Sequence, residues 1–308
     1  MAGGLRAYAP AKVNLYLHVG PARKDGRHPL DSLVVFAGRE AADRLELTVA
    51  DDTGLDVEGP FAEEAGPIES NLVLEAYRRL CCQVRLPGDK ARHLQFVLNK
   101  YLPAGAGIGG GSADAAAALR LMVLDHFKLS TRTMTDIAPQ LGGDVLACVW
   151  NRPVLMRGDG DDVIPLDDPK GILKRGPGSG LPAVLVNPGM FCPTGPVFRR
   201  FDEMDVAREL DLQPLTEVPD EDALLSWLRR DTKNDLQAAA CDLVPEIAFV
   251  LEQLEAQAGV RLARMSGSGA TCFAVFDDMG FALESQARLS REHPDWWVRA
   301  TLLGEGAQ

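Results

Sequence analysis

Apolar and polar residues alternate clearly at the start of the chain. Residues 11–19 read as a strand, with Val13, Leu15, Leu17 and Val19 on one face and Lys12, Asn14, Tyr16 and His18 on the other. Leu33–Phe36, Arg44–Val49 and His93–Leu98 read as further strands. Asn71–Leu80 has helical spacing with Asn71 as a cap, and residues 114–127 and 133–141 also read as helices. The apolar runs Asp144–Trp150 and Val154–Met156 predict strands. A second half begins near Leu181: strand 183–186, helices 221–230, 236–240 and 245–258, strand 271–276, helix 281–291 and strand 297–303. Residues 159–162 and 176–180, rich in Gly, Pro and charge, predict linkers. This order predicts an α+β fold of two domains, residues 1–170 and 181–308, with a ligand between them.

One segment breaks the pattern. Residues 102–118 (LPAGAGIGGGSADAAAA) place Gly105, Gly107, Gly109, Gly110 and Gly111 directly before Ser112, Asp114 and an alanine-rich helix. Such a loop aims free N–H groups and the positive end of a helix dipole at one spot, which suits a phosphate. No Gly-Lys-Ser/Thr follows, so it is not a Walker loop. No acidic residue ends a second strand at the distance a dinucleotide fingerprint needs. Ser112 suits the helix N-cap. A second glycine-rich turn, residues 265–270 (MSGSGA), favours a shared pocket.

Charge and cysteine content narrow the function classes. The 308 residues carry a net charge of −12, which argues against a general nucleic-acid binder but not against a small anion held by backbone N–H groups. No secretory leader and no membrane-length apolar run is read, so a cytoplasmic protein is expected. The six cysteines form no Cys-x-x-Cys pair and sit mostly in apolar runs, which predicts buried thiols. The five histidines lack zinc spacing.

Lys12 and Asn14, two apart on one strand face, reach one ligand if that face lines a cleft. Asp144 enters an apolar run, where a carboxylate must be paired, capping or functional. A Lys–Asp pair in a cleft suits phosphoryl transfer, with Lys12 neutralising charge and Asp144 accepting the proton of an attacking hydroxyl. A structural ion pair fits the residue types equally well.

These residues resemble the GHMP kinases over nearly the whole chain. Residues 10–17 (PAKVNLYL) with 23–28 (RKDGRH), 102–116, and 265–270 are similar to the three family motifs in order, and 141–145 (LGGDV) and 233–236 (KNDL) also fit. The resemblance implies an N-terminal domain like ribosomal protein S5 domain 2 and a ferredoxin-like C-terminal domain. It implies ATP with Mg²⁺, whose protein ligands are unknown, and phosphorylation of the 2-hydroxyl of a cytidine-diphosphate methylerythritol in isoprenoid precursor synthesis. Lys12 and Asp144 become the catalytic pair. Asn71, Lys100, Pro103, Gly105, Gly107, Ile108, Gly109, Gly110, Gly111 and Ser112 become the nucleotide site. Asn14, Arg27, His28, Thr194 and Phe198 become the substrate site, with cytosine between Arg27 and Phe198 and its edge read by His28. Arg27 stands where the family usually has Tyr. Ala113, Leu146 and Asp161 stand where Ser, Pro and Glu are common. The implied partner is a small molecule, with neither nucleic acid nor membrane, and the chain a monomer or homodimer. The alternatives are a family kinase for homoserine, mevalonate or a sugar, and a nucleotide-binding regulator that has lost catalysis.

Overall fold

The computed structural model describes residues 4–84, 93–168, 170–174, 179–210 and 220–307. The strands and α-helices, in chain order, are β1 (Leu5–Pro10), β2 (Lys12–Val19), β3 (Leu30–Ala37), β4 (Ala42–Val49), β5 (Gly54–Glu58), α1 (Leu72–Gln83), β6 (Leu94–Asn99), α2 (Gly110–Arg120), α3 (Thr131–Ile137), α4 (Gly143–Trp150), β7 (Val154–Gly158) and β8 (Asp162–Pro165). They continue with β9 (Leu181–Asn187), α5 (Thr194–Glu203), α6 (Glu221–Asp231), α7 (Gln237–Leu243), α8 (Glu246–Glu255), β10 (Val260–Met265), β11 (Cys272–Phe276), α9 (Met279–Glu292) and β12 (Trp297–Gly304).

A four-stranded sheet runs β1-β4-β6-β5, antiparallel except for the parallel β5–β6 pair. Its apolar face carries Leu45, Leu47, Phe96 and Leu98, and Val73, Ala76 and Leu80 of α1 and Ala115–Leu119 of α2 pack on it. The small alanines let α2 lie in the middle of this core with all five fully buried. A larger sheet runs β10-β11-β9-β12-β3-β7-β8, with β2 along the other edge of β3. Its central strands are buried on both faces. Ala183 and Leu185 of β9 face one cluster with Leu224, Leu225 and Leu228 of α6, while Val184 and Val186 face another with Ile247, Val250 and Leu254 of α8. Such strands read as continuous apolar runs.

The α+β class holds. The larger sheet crosses the expected domain boundary, because β3 of the first half pairs with β12 of the last, Leu303 opposite Ala37 and Gly304 opposite Phe36. The linker expected at 176–180 lies mostly outside the described residues. The one expected at 159–162 is instead the tight turn of the β7–β8 hairpin, where Gly160 N donates to Arg157 O.

Two elements near the glycine loop depart from the expected pattern. The run 144–150 is helix α4, not a strand. Gly142 opens it at φ 150° and Asn151 closes it in the left-handed region at φ 49°. A short apolar run cannot be assigned by periodicity alone. Second, the β2–β3 register shifts between Asn14 and Tyr16, so Leu15 is the extra residue of a bulge. The shift exchanges faces. Lys12 and Asn14 share a face with Leu17 and Val19, while Tyr16 and His18 turn to the opposite side, contrary to strict alternation.

The thiols are all free. Cys148, Cys192 and Cys272 are buried as expected, Cys241 is half-buried, and Cys81 and Cys82 are exposed. Among the described residues, no helix is long and apolar enough to cross a membrane.

Candidate active site

The glycine loop is tied down at both ends by one buried cluster. Lys100, which follows β6, pairs with Asp43 at the start of β4 and with Asp114 of α2, the latter at 2.8 Å. Asp43 also accepts from the N–H groups of Tyr101 and Leu102. Burial opposes the Lys100 charge, but Asp114 and Asp43 outweigh it and hold the ammonium above its ordinary pKa. Asp114 is pushed up to about 7, by burial first and by Asp43, with Lys100 opposing. Its Oδ1 has no hydrogen-bond partner among the described residues. The Lys100 ammonium, expected in the nucleotide site, is therefore occupied beneath the loop.

Between these anchors the backbone takes conformations only glycine holds comfortably. Gly107 has φ 73°, and a Cβ there would lie 2.5 Å from Ser266 O and 2.6 Å from Gly269 O. The first loop thus packs backbone to backbone on residues 266–269. Gly109, at φ 63°, is the cap residue of α2, so the helix starts earlier than expected and Ser112 sits in its first turn rather than at the cap. The first intrahelical bond runs from Ala113 N to Gly109 O at 2.9 Å. The N–H groups of Gly110, Gly111 and Ser112 precede it and are not satisfied within the helix.

Beside that helix end lies the ion pair. Lys12 Nζ is 3.0 Å from Asp144 Oδ2, with side chains 7% and 34% exposed. Lys12 comes from the first position of β2, and its N–H donates to Ile108 O at 2.8 Å. Ile108 is fully buried, so it enters the site through its carbonyl. Asp144 lies in the first turn of α4, where the helix end favours negative charge. A Cβ on Gly109 would sit 3.3 Å from Lys12 Cβ and 3.6 Å from Asp144 Oδ2, so the loop crosses directly over the pair.

Asn14 is next along the same face. Its Nδ2 donates to Ser32 Oγ at 2.7 Å, and Ser32 Oγ donates to Tyr16 O. Asn14 Oδ1 is buried and has no hydrogen-bond partner among the described residues. A buried acceptor left open in a cavity wall points to a ligand donor.

These groups line a cavity of about 370 Å³ with Gly105, Gly107, Gly109–Ser112, Leu17, Leu30, Ser32, Leu72, Met156, Thr194, Phe198, Gly267 and Ser268. Thr194 Oγ1 and Ser268 Oγ are 2.9 Å apart. Sequence reading missed Leu17, Leu30, Ser32 and Met156 as wall residues. Leu17 was hidden by the bulge, and the others carry no chemical signature. A larger cavity of about 780 Å³ lies on the far face, with Tyr16, His18, Asp31 and Trp227. Asp31 there is already held by Tyr16 Oη and Arg157 Nε, each at 2.9 Å, and no glycine loop borders it.

The remaining expected residues divide. His28 faces Phe198 with ring centroids 5.1 Å apart, its Nδ1 2.9 Å from Gly20 O and its Nε2 3.4 Å from Asp202. Arg27 does not join them. Its side chain is 70% exposed and pairs with Asp159 at 3.3 Å, so the Arg27–Phe198 sandwich is not formed in this structure. Asn71 caps α1, accepting from Val73 N at 2.9 Å, one residue from the cavity-lining Leu72. Pro103 is buried and opens onto a neighbouring cavity of about 630 Å³ with Phe61, Phe191 and Trp297.

Two family descriptions match the chain, "GHMP kinases N terminal domain" over residues 71–152 and "GHMP kinases C terminal" over 212–291. The chain belongs to the GHMP kinase family. It is 45% identical over 306 residues to 4-diphosphocytidyl-2-C-methyl-D-erythritol kinase of Hyphomonas neptunium, covering 97% of each chain. It is 46% identical to the enzyme of the same name from Methylobacterium radiotolerans, covering 96% of this chain and 97% of the other. A crystal structure of 4-(cytidine 5'-diphospho)-2C-methyl-D-erythritol kinase superposes with TM-score 0.71 at 32% identity, covering 97% of this chain and 99% of that one. Homoserine kinase from Cytophaga hutchinsonii, at TM-score 0.63 and 17% identity, shares the fold. As a GHMP kinase the chain is an ATP-dependent small-molecule phosphotransferase.

Proposed function

We propose that this GHMP kinase transfers the γ-phosphoryl group of ATP to the 2-hydroxyl of 4-diphosphocytidyl-2-C-methyl-D-erythritol, in isoprenoid precursor synthesis. The observation that carries the chemistry is the Lys12–Asp144 pair lying under the glycine loop at the open end of α2. The near-full-length likeness to kinases of that name supports the substrate. The N–H groups of Gly110, Gly111 and Ser112 hold phosphate oxygens. The acceptor hydroxyl gives its proton to Asp144 as its oxygen bonds to the γ-phosphorus. The bond from that phosphorus to the bridging oxygen breaks, and ADP leaves with the electron pair. Lys12 offsets the charge spread over the transferring group. Asp144, one-third exposed, returns its proton to water. Asn14 Oδ1 accepts from a second substrate hydroxyl and fixes the alcohol against the pair. Phe198 and His28 border the place for the base.

Among the described residues no group of three His, Cys, Asp or Glu side chains could hold a metal. On the cavity wall, Ser112 and Asp144 carry the hard oxygen donors that would hold a Mg²⁺ ion delivered with ATP. The ion would neutralise phosphate charge.

The test is ADP release with cytidine-bearing and cytidine-free alcohols. Turnover only with the cytidine-diphosphate methylerythritol supports the proposal. Preference for homoserine, mevalonate or a sugar moves the chain to another kinase of the family. ATP binding without turnover makes it a regulator.

A further inference from the structure

Arg264 lies in β10 opposite Phe273 of β11 and is 6% exposed. Among the described residues, no carboxylate pairs with its guanidinium. Four bonds to uncharged oxygens hold it instead. Nη1 donates to Leu15 O at 2.6 Å and to Thr232 Oγ1 at 3.0 Å, and Nη2 donates to Leu228 O and Thr232 O, each at 2.9 Å. A buried cation without a counter-ion is costly, and burial draws this one down to about 10. The carbonyl at the head of the set belongs to Leu15, the bulge residue, which has no opposite number on β3. One residue earlier, Asn14 N donates to Ser266 Oγ at 3.1 Å, and Ser266 Oγ donates to Gly107 O. Arg264 of β10 and Ser266 of the second glycine turn therefore grip β2 on both sides of the Asn14–Leu15 peptide.

We propose that Arg264 is a positioning residue for phosphoryl transfer, fixing the Leu15 bulge and through it the orientation of Asn14 and the placement of Leu17 on the cavity face that carries Lys12. A one-residue slip in a strand turns every later side chain to the other face. Without the guanidinium the Leu15 carbonyl is a buried acceptor lacking its donor, and the bulge keeps only the Ser266 bond of the two that hold it. Relaxation toward strict alternation brings Tyr16 and His18 toward the cavity and takes Leu17 away. Tyr16 O, which holds Ser32 Oγ and through it Asn14 Nδ2, moves with that change, so the Asn14 amide turns relative to Lys12 and Asp144. The glycine loop, anchored separately by Lys100, keeps its shape. The arrangement thus separates the effect on alcohol placement from the effect on nucleotide binding. This inference rests on the proposed reaction for its kinetic readout.

The experiment compares Arg264→Met and Arg264→Lys with the wild-type chain by steady-state kinetics and amide hydrogen exchange. A displacement of about 1 Å in a reacting group can cost on the order of 10²-fold, so Arg264→Met should lower kcat by about 10- to 100-fold while nucleotide affinity stays near wild type. Arg264→Lys, keeping the charge and one carbonyl bond, should fall between. Exchange should quicken at Tyr16 and Leu17 and stay unchanged in β9 and β11. A merely structural arginine would lower stability without this local pattern. In the Arg264→Met/Asn14→Ala double variant, the kcat losses should not multiply, because both act through the same group. Wild-type kcat in a folded Arg264→Met chain, or fully independent losses in the double variant, would overturn the proposal. If Arg264→Met does not fold, Thr232→Val decides: it removes one acceptor, and should lower kcat in the same direction. An unchanged kcat there overturns the proposal. If the wild-type chain does not phosphorylate the cytidine substrate, the proposed reaction fails first. The exchange at Tyr16 and Leu17 then still judges Arg264.

Discussion

At the residue scale, Lys12 and Asp144 were readable as a pair from residue type alone, and the structure brings them to 3.0 Å across 132 positions of sequence. Loss of a positioned general base costs about 10²–10⁴-fold in rate. Asp144→Asn should therefore lose kcat on that scale and keep nucleotide binding, by steady-state and equilibrium titration. A variant with near-normal kcat would make the pair structural. Arg27 was not readable in the same way. Its place was inferred from the residue the family usually has, and the half-buried carboxylate of Asp159 holds the guanidinium instead. Stacking a base on an aromatic ring is worth about 1–3 kcal/mol, or roughly one to two decades in affinity. Phe198→Ala should raise KM for the cytidine substrate by that much, and Arg27→Ala far less. A large KM rise in Arg27→Ala would mean that substrate draws Arg27 away from Asp159. Asp114 gives a test in pH. A carboxyl held near 7 in the folded chain binds its proton more tightly there than unfolded, where it titrates near 4. Its contribution is complete below about pH 4 and is lost as pH rises through 7. Asp114→Asn has no such loss. Thermal melts at pH 5 and pH 8 should show the wild type falling relative to the variant as pH rises, and the opposite slope would remove this account of the cluster.

At the scale of elements, the glycine loop was legible because composition and position agree: five glycines against a helix of small residues. The side each glycine shows was not. A Cβ on Gly110 would meet Lys100 Nζ at 3.1 Å and Leu102, so it points into the buried cluster and not into the phosphate space. Gly110→Val is thus expected to destabilise the fold through the Lys100 cluster rather than to block phosphate directly. Gly107 is the more telling position. Gly107→Ala combines left-handed backbone, costing about 1–3 kcal/mol for most residues, with a clash against Ser266 O and Gly269 O. It should lower the melting temperature and weaken nucleotide binding together. Gly111→Ala, whose Cβ would meet only Leu72 at 3.7 Å, should fold as the wild type does. Equal melting temperatures for the two variants would contradict the back-to-back packing. Two elements escaped sequence reading for definite reasons. Helix α4 is too short and too uniformly apolar to show a period. The bulge at Leu15 is set by partners more than 200 residues away, Arg264 and Ser266.

At the scale of the whole molecule, the α+β class and most of the strands were legible, while the joining of the two halves was not, because strand order is not written in local pattern. The β3–β12 pairing makes one sheet of both halves. Heat should therefore unfold the chain in a single transition, with far-ultraviolet circular dichroism and tryptophan fluorescence changing together. Two separated transitions would show that the halves melt as independent domains. The same pairing has a consequence for synthesis. Strand β12 is the last of the described strands to leave the ribosome, and it sits between β3 and β9, both made long before it. Until it is translated, β9 presents an unfilled edge to solvent, and so does the Phe36–Ala37 end of β3, the state in which a nascent chain is most exposed to aggregation. Translation arrested after α9 would leave both glycine turns already made but the sheet that joins them unfinished.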